Sequence, residues 1–222
     1  MCNGAVHRLE LQQRLLSRND QDAARNRRQF QRLGLQVVNL LSAPGSGKTS
    51  LLEQLARRWP RPPIGVIVGD LATDHDATRL RQAGARSVQI CTGDRCHLDA
   101  ALVERALAQL DATELDLLVI ENVGNLVCPT AFDLGEQRRV AVLAVTEGED
   151  KPLKYPALFA TADAVLINKS DLAAAVGFDR AAAHHNLRAV APRAAVFEVS
   201  ARQGQGLEAW MQWLEQPDGP GP

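Results

Sequence analysis

Short apolar runs alternate with longer amphipathic stretches along most of this chain. The runs are rich in Val, Ile and Leu, which is typical of strands buried on both faces of a sheet. Because helical segments separate them, they predict a parallel sheet with right-handed crossovers. The predicted strands lie at residues 37–41, 64–68, 87–91, 117–120, 140–145, 164–167 and 195–199.

Amphipathic spacing predicts helices at residues 7–33, 48–59 and 98–110, and a closing helix that carries Leu207, Trp210 and Leu214. Gly34 is a suitable stop for the N-terminal helix. The length of 222 residues suits one large domain. We therefore expect an N-terminal segment (1–34), a main domain (35–215) and a disordered Pro/Gly-rich tail (216–222).

Composition and charge exclude several function classes. Aromatic residues make up only 4 % of the chain and hydrophobic residues 45 %, which suits helices packed on an aliphatic sheet. The formal net charge of −1 predicts no nucleic-acid or anionic-membrane partner. The charged N-terminal region lacks the apolar run of a signal peptide, and no apolar stretch is long enough to span a membrane. We expect a cytoplasmic protein with reduced cysteines.

Polar residues follow most of the predicted strands, where parallel sheets bind ligands. The segment 42–49, S-A-P-G-S-G-K-T, lies between a strand and a helix and fits the phosphate-binding consensus G-x-x-x-x-G-K-[ST], with Ser42 in place of the leading glycine. Lys48 is expected to reach the β- and γ-phosphates and Thr49 to bind Mg²⁺. The expected phosphate ligands are Gly45, Ser46, Gly47, Lys48, Thr49 and Ser50.

A second motif indicates which base is bound. Asn168-Lys169-Ser170-Asp171 follows the sixth strand, and one carboxylate at Asp171 can accept both N–H donors of guanine, which adenine lacks. We expect Lys169 to cover the base and Asn168 to tie this loop to the phosphate loop. Ser200 and Ala201, after the last strand, are positioned for a backbone N–H to meet the guanine carbonyl.

Three carboxylates are candidates for Mg²⁺ or for the attacking water. Asp70 and Glu121 end strands, and Asp74 follows shortly after the first of them. The sequence does not apportion the roles among Asp70, Asp74 and Glu121. Asp74 and Asp76 could instead cap a helix. We expect Lys48, Asp74 and Glu121 to act in hydrolysis.

Cysteine and histidine residues suggest a second metal site. Cys96 and His97 are adjacent, and Cys128 lies seven residues beyond Glu121. Thiolate and imidazole ligands suit Zn²⁺, Ni²⁺ or Cu⁺, and a symmetric second copy could complete the site. Spacing alone would also allow Cys96 and Cys128 to be buried apolar residues. Cys91, inside a strand, is expected in the core. If the loop from Glu121 to Cys128 moves on hydrolysis, nucleotide state would alter metal affinity.

Taken together, these segments resemble the HypB family, the GTPases that assist nickel insertion into nickel–iron hydrogenase. The resemblance covers roughly residues 40–213. It rests most specifically on E-N-V-G-N-L-V-C-P (121–129) and V-T-E-G-E-D-K-P-L-K-Y-P (145–156). The supporting segments are 42–49, G-D-L-A-T-D-H-D-A (69–77), C-H-L-D-A (96–100), D-L-G-E (133–136) and 168–172.

The resemblance implies an α/β P-loop NTPase of the dimer-forming nucleotide-switch class, with slow GTP hydrolysis and a nickel or zinc site at Cys96, His97 and Cys128. It implies a GTP-dependent homodimer, a second nickel chaperone and the hydrogenase large-subunit precursor as partners. Many family members carry a Cys-rich nickel motif at the N-terminus. This chain has only Cys2 and His7 there, so we expect no strong N-terminal nickel site.

Other function classes stay open at this point. A related GTPase could deliver nickel to another enzyme, such as urease. A P-loop kinase acting on a small molecule would need an acceptor pocket and usually a basic lid, and no Arg-rich lid segment stands out. A metal store with a vestigial nucleotide fold would not need the intact phosphate loop.

Overall fold

The computed structural model describes residues 3–61, 63–70, 74–93 and 96–216, without the side chains of residues 3–13 and of Asp70. Cys2 and nearly all of the predicted disordered tail therefore lie outside the described residues, and His7 is described only in its backbone. Within this part of the chain, every helix is too short or too polar to cross a membrane.

A parallel sheet of seven strands forms the centre of the described structure, as the apolar runs predict. The strand order is β3-β2-β4-β1-β5-β6-β7. The strands are β1 (Gln36–Ser42), β2 (Gly65–Asp70), β3 (Arg86–Cys91), β4 (Leu117–Glu121), β5 (Arg138–Ala144), β6 (Ala164–Asn168) and β7 (Ala195–Glu198). Every pairing between neighbouring strands is parallel. The carboxyl ends of all the strands therefore meet at one edge, where this fold class binds ligands.

Helices cover both faces of the sheet. They are α1 (Asn3–Leu33), α2 (Lys48–Arg58), α3 (His75–Gln82), α4 (Ala100–Leu107), α5 (Lys151–Lys154), α6 (Pro156–Ala160), α7 (Ala173–Val176), α8 (Arg180–Val190) and α9 (Leu207–Glu215). Apolar residues of α2, α3 and α9 pack on one face. On the other face, α1 and α4 cover β2 and β4, and α6 to α8 cover β5 and β6. The two faces alternate along each strand because successive side chains point in opposite directions.

The N-terminal helix α1 packs against the rest of the structure through polar as well as apolar contacts. Phe30 is fully buried in the cluster beneath α4. Asn26 donates to the carbonyl oxygens of Ala100 (2.8 Å) and Leu134 (3.0 Å). Gly34 ends the helix with a φ of 68°, which a residue with a side chain rarely adopts.

One expectation about the core is wrong. Cys91 was predicted to be a core residue because it lies in an apolar strand, but its side chain is exposed. Cys91 is the last residue of β3, and β3 is an edge strand of the sheet. A strand at the edge is covered less completely than a central one, and apolar periodicity alone does not distinguish the two.

Candidate nucleotide and metal site

The phosphate loop connects β1 to α2 in the conformation that its glycines allow. Gly45 and Gly47 have φ values of 72° and 97°. A side chain at Gly47 would also collide with Asn168, because an added Cβ would lie 2.6 Å from its Nδ2. Ser42, in place of the usual leading glycine, is fully buried and accepts a hydrogen bond from Lys48 Nζ at 3.0 Å. The substitution therefore adds a partner for the lysine and leaves the loop intact.

Two adjoining cavities lie at the carboxyl edge of the sheet. The phosphate cavity, of about 370 Å³, is bounded by the phosphate loop and the ends of β2 and β4. The base cavity, of about 410 Å³, lies between α2 and the loop after β6. Gly47 and Ser50 line both. The two cavities therefore form a continuous surface of the size that a nucleoside triphosphate requires.

Most of the predicted nucleotide ligands line these cavities. The phosphate cavity contains Gly45, Gly47, Lys48, Thr49, Ser50 and Glu121. The base cavity contains Gly47, Ser50, Asn168, Lys169, Asp171 and Ala201. Ser46 and Ser200 are buried behind the loops and line neither cavity.

The loop after β6 is tied to the phosphate loop. Asn168 Nδ2 donates to the carbonyl oxygen of Ser46 at 2.8 Å, which is the contact between the loops that the sequence predicts. Lys169 Nζ donates to the carbonyl oxygen of Gly45 at 2.8 Å. Lys169 itself has a φ of 61°, an uncommon conformation for a residue with a side chain. The base and phosphate regions are thus held in a fixed relation.

Asp171 faces the base cavity with its carboxylate oriented by a neighbour. Ser200 Oγ donates to Asp171 Oδ1 at 2.6 Å, so the loop after β7 holds the carboxylate in place. The backbone N–H of Ala201 donates to Asn168 Oδ1 at 3.1 Å. This N–H is the candidate donor to the guanine carbonyl. It therefore already belongs to the hydrogen-bonded loops after β6 and β7.

Glu121, at the end of β4, combines deep burial with an incomplete set of partners. Its Oε1 accepts from Thr49 Oγ1 at 2.9 Å. Its Oε2 is buried with no hydrogen-bond partner among the described residues. Burial raises the pKa of Glu121 to about 7, against the opposing effect of the Lys48 ammonium. A hydroxyl beside a carboxylate with an unused oxygen fits a hard cation such as Mg²⁺.

The acidic residues after β2 are arranged differently from the expectation. Asp74 is exposed, does not line the phosphate cavity, and accepts from Arg81 Nη2 at 2.8 Å. Asp76 lines that cavity, together with Arg79. Asp70 ends β2 beside it, and its side chain is outside the described set. The structure therefore brings Glu121, but not Asp74, to the phosphate loop.

Arg79 is a charged residue of the phosphate cavity that the sequence did not indicate. Its guanidinium pairs with Glu53 at 2.8 Å and with Asp76 at 3.2 Å, and it donates to Ser50 Oγ at 3.3 Å. The only sequence signal is its position three residues after Asp76, one helical turn along α3. A single turn of spacing is common to many surface ion pairs, so it does not identify a phosphate ligand.

The loop that carries Cys96 and His97 and the loop that carries Cys128, together the cysteine loops, lie next to each other. The Cys96 thiol raises the pKa of Cys128 through a hydrogen bond between the two side chains. Cys96 Sγ also lies 3.6 Å from His97 Nδ1, and the His97 ring stacks on Phe132 with a centroid distance of 3.9 Å. The structure thus brings the two thiols together. In the described part of the chain, no three His, Cys, Asp or Glu side chains are arranged to hold a metal ion.

Comparison with known proteins identifies the family. The nucleotide-binding-domain model of the CobW/HypB/UreG family matches residues 36–198. The hydrogenase maturation factor HypB of Azotobacter vinelandii is 54 % identical over 215 residues, which is 95 % of this chain and 70 % of that protein. The chain belongs to the HypB family of hydrogenase maturation factors. The family that the sequence motifs resemble is thereby confirmed.

Further HypB proteins support the same assignment. HypB of Escherichia coli (strain K12) is 47 % identical, over 93 % of this chain and 72 % of that protein. The crystal structure of HypB from Helicobacter pylori in complex with nickel superposes with a TM-score of 0.86 at 40 % identity, covering 89 % of this chain and 93 % of that one. HypB from Archaeoglobus fulgidus gives 0.83 at 40 % identity, covering 89 % and 97 %. The P-loop NTPase fold is also confirmed.

Proposed function

We propose that this HypB-family chain is a GTP-hydrolysing metallochaperone. In this proposal it binds nickel, and also zinc, and assists nickel insertion into nickel–iron hydrogenase during maturation of that enzyme. Nickel is the cargo, whereas Mg²⁺ accompanies the nucleotide. The proposal combines the family membership with the two cavities and the cysteine loops, and the cargo is suggested by the nickel complex of the Helicobacter pylori relative.

The observation that carries the proposal is the place of Cys128 on the loop that begins at Glu121, with Cys96 as a neighbour. The Cys96 thiol raises the pKa of the Cys128 thiol, so two ligands suited to a soft metal lie next to each other. Cys128 belongs to the loop that begins at Glu121, and Glu121 is bonded to Thr49 of the phosphate loop. The proposed soft-metal site would therefore be continuous with the nucleotide site.

Each residue of the nucleotide site has a defined task in this proposal. Lys48 would leave Ser42 to neutralise the β- and γ-phosphates. Thr49 and Glu121 would hold Mg²⁺, which supplies positive charge for the transferred phosphoryl group. Asp70 can join them, since it ends the neighbouring strand. Asp76 replaces Asp74 as the candidate for orienting the attacking water, because it lines the phosphate cavity.

In this proposal, the loop after β6 selects guanine over adenine. The Asp171 carboxylate can accept both N–H donors of guanine, and Ser200 holds it toward the base cavity. Adenine has no such pair of N–H donors, so it would lose the hydrogen bonds that guanine makes to this half-buried carboxylate, which costs affinity. The hydrocarbon part of Lys169 can lie over the base while its ammonium stays bonded to Gly45.

The cysteine loops bear on assembly, and the family membership bears on partners. Cys96, His97 and Cys128 supply at most three ligands, and a second copy of the chain could complete a tetrahedral site, so we propose a homodimer. Membership of the HypB family further suggests that GTP favours this dimer and that it works with a second nickel chaperone and the hydrogenase large-subunit precursor. Thiol ligands need a reducing compartment, so we place this work in the cytoplasm. Delivery to urease is a second candidate, favoured by a 40 % identical Helicobacter pylori relative named hydrogenase/urease maturation factor.

The nucleotide part is tested by measuring phosphate release. We expect Mg²⁺-dependent hydrolysis of GTP in preference to ATP. The variant Lys48→Ala should lose GTP binding by tenfold or more, because the loss of one charged hydrogen bond costs about 1.5–3 kcal/mol. Equal turnover of ATP and GTP, or unchanged GTP affinity in Lys48→Ala, would contradict the proposal.

A further inference from the structure

Asn122 follows Glu121 directly and is only 1 % exposed. Its backbone N–H donates to the carbonyl oxygen of Leu40 at 3.1 Å, which extends the pairing of β4 with β1 by one residue. The position of Asn122 is therefore set by the same strand end that carries Glu121. Any shift of Glu121 that accompanies a change of nucleotide must act on Asn122 as well.

The side chain of Asn122 links the nucleotide site to the metal loop, the loop that carries Cys96 and His97. Its Oδ1 accepts from the backbone N–H of Leu98 at 3.3 Å, and Leu98 immediately follows His97. The same oxygen accepts from the N–H of Val123 at 2.9 Å, and Nδ2 donates to Asn39 Oδ1 at 3.2 Å. Since all these groups are buried, the amide has a single orientation that satisfies them.

Leu98 is also held by the end of β2. It is fully buried, and a Cβ added at Gly69 would lie 2.9 Å from Leu98 Cγ. Gly69 precedes Asp70, the candidate Mg²⁺ ligand. Leu98 thus contacts a neighbour of each strand-end carboxylate. It is hydrogen-bonded to Asn122, which follows Glu121, and it packs closely against Gly69, which precedes Asp70.

We propose that Asn122 is a positioning residue that makes the Cys96–His97 half of the metal site follow the nucleotide state at Glu121. This inference rests on the proposed function. Cys128 is joined to Glu121 through the chain itself, whereas Cys96 and His97 come from a separate loop. The Asn122–Leu98 hydrogen bond joins that loop to the same strand end. Because packed interiors shift between discrete arrangements, a displacement of β4 is transmitted to Leu98.

The test compares nickel affinity of the full chain with GDP and with a non-hydrolysable GTP analogue. The matched variants are Asn122→Ala and Asn39→Ala. Both remove a buried amide from the same network, but only Asn122→Ala removes the bond to Leu98. We expect the two nucleotides to change the wild-type nickel Kd by about fivefold or more. Asn39→Ala should keep this ratio, and Asn122→Ala should bring it close to one.

A second variant covers the case in which Asn122→Ala does not fold. Gly69→Ala should push Leu98 away from Asn122 and reduce the ratio. Adding Leu98→Ala should relieve the clash, and because the bond to Asn122 is made by the backbone N–H of residue 98, the double variant should recover the ratio. Hydrogen exchange of the metal-free protein gives an independent readout. The Leu98 amide should exchange at nucleotide-dependent rates in the wild type and rapidly in both states of Asn122→Ala.

The outcomes separate the inference from the proposed function. A wild-type protein with equal nickel affinity in both nucleotide states would overturn the nucleotide control of nickel and the role of Asn122 with it. A nucleotide-dependent wild type whose dependence persists in Asn122→Ala, or in Gly69→Ala where the first variant is unfolded, would overturn the role of Asn122 alone.

Discussion

Thr49 Oγ1 donates to Glu121 Oε1 at 2.9 Å and so joins the start of α2 to the end of β4. The second oxygen of the carboxylate, Oε2, is buried without a hydrogen-bond partner among the described residues. Burial holds the pKa of Glu121 at about 7, far above its ordinary value of 4.5. This carboxyl group therefore changes charge near neutral pH in the protein without ligand.

Glu121→Gln should remove a pH dependence of stability. The folded-state pKa lies above the unfolded value, so the stabilisation belongs to the protonated carboxyl. It is fully present below pH 4.5 and is lost as the pH rises through about 7. Between these limits, the nucleotide-free wild type should lose about 3 kcal/mol of unfolding free energy relative to Glu121→Gln. Urea unfolding at a series of pH values measures this, and parallel curves for the two proteins would refute it.

Arg79→Ala should slow GTP hydrolysis. Arg79 lines the phosphate cavity and can turn from Glu53 toward phosphate charge that develops in the transition state. We expect kcat to fall by about ten- to a hundredfold. Arg81→Ala is the matched control, since Arg81 lies on the same helix and pairs with the exposed Asp74. Equal rates for the two variants would exclude a direct role of Arg79.

Asp171→Asn should weaken guanine recognition. The amide keeps the size of the carboxylate but accepts only one of the two guanine N–H donors, so GTP affinity should fall by about ten- to a hundredfold. An Asn side chain can pair with xanthine, so affinity for the xanthine nucleotide should rise. Asp179→Asn is the control, because the exposed Asp179 caps α8 and its oxygen is retained. Unchanged selectivity in competition binding would refute the role of Asp171.

Asn26→Ala should destabilise the whole structure if α1 is an integral part of it. The side chain is fully buried and satisfies the carbonyl oxygens of Ala100 and Leu134. Leaving both unpaired should cost about 2 kcal/mol of unfolding free energy. The exposed Arg28, on the same helix, provides the control, and Arg28→Ala should stay within about 0.5 kcal/mol of wild type. Equal stability of the two variants would indicate that α1 contributes little to the fold.

The sequence predicts the strands because short apolar runs are typical of strands that are buried on both faces of a sheet. It predicted the phosphate and base loops because short motifs combine with their place after a strand. The strand order was not accessible, because the pairing of Leu40 with Glu121 depends on contacts far apart along the chain. The same limit explains Cys91, whose exposure depends on which strand lies at the edge.

The sequence predicts the kinds of residue in the candidate site better than it predicts their arrangement in space. Cys96 and Cys128 were recognised by their chemistry, whereas the contact between their thiols requires the fold. Arg79 carries no motif signal, and the segment 121–129, which contains Asn122, does not indicate a contact with Leu98. Arg79 reaches the phosphate cavity because of the direction of α3, and Asn122 reaches Leu98 because β4 and the metal loop end side by side.

Nickel titration tests most directly whether nucleotide state controls the metal site. The pure protein is titrated without nucleotide, with GDP and with a non-hydrolysable GTP analogue, alongside Cys128→Ala. We expect affinity or stoichiometry to differ between the nucleotide states in the wild type, and the difference to vanish in Cys128→Ala. Equal nickel binding in every state, or no nickel binding at all, would contradict the coupling of the Glu121–Cys128 loop to metal delivery.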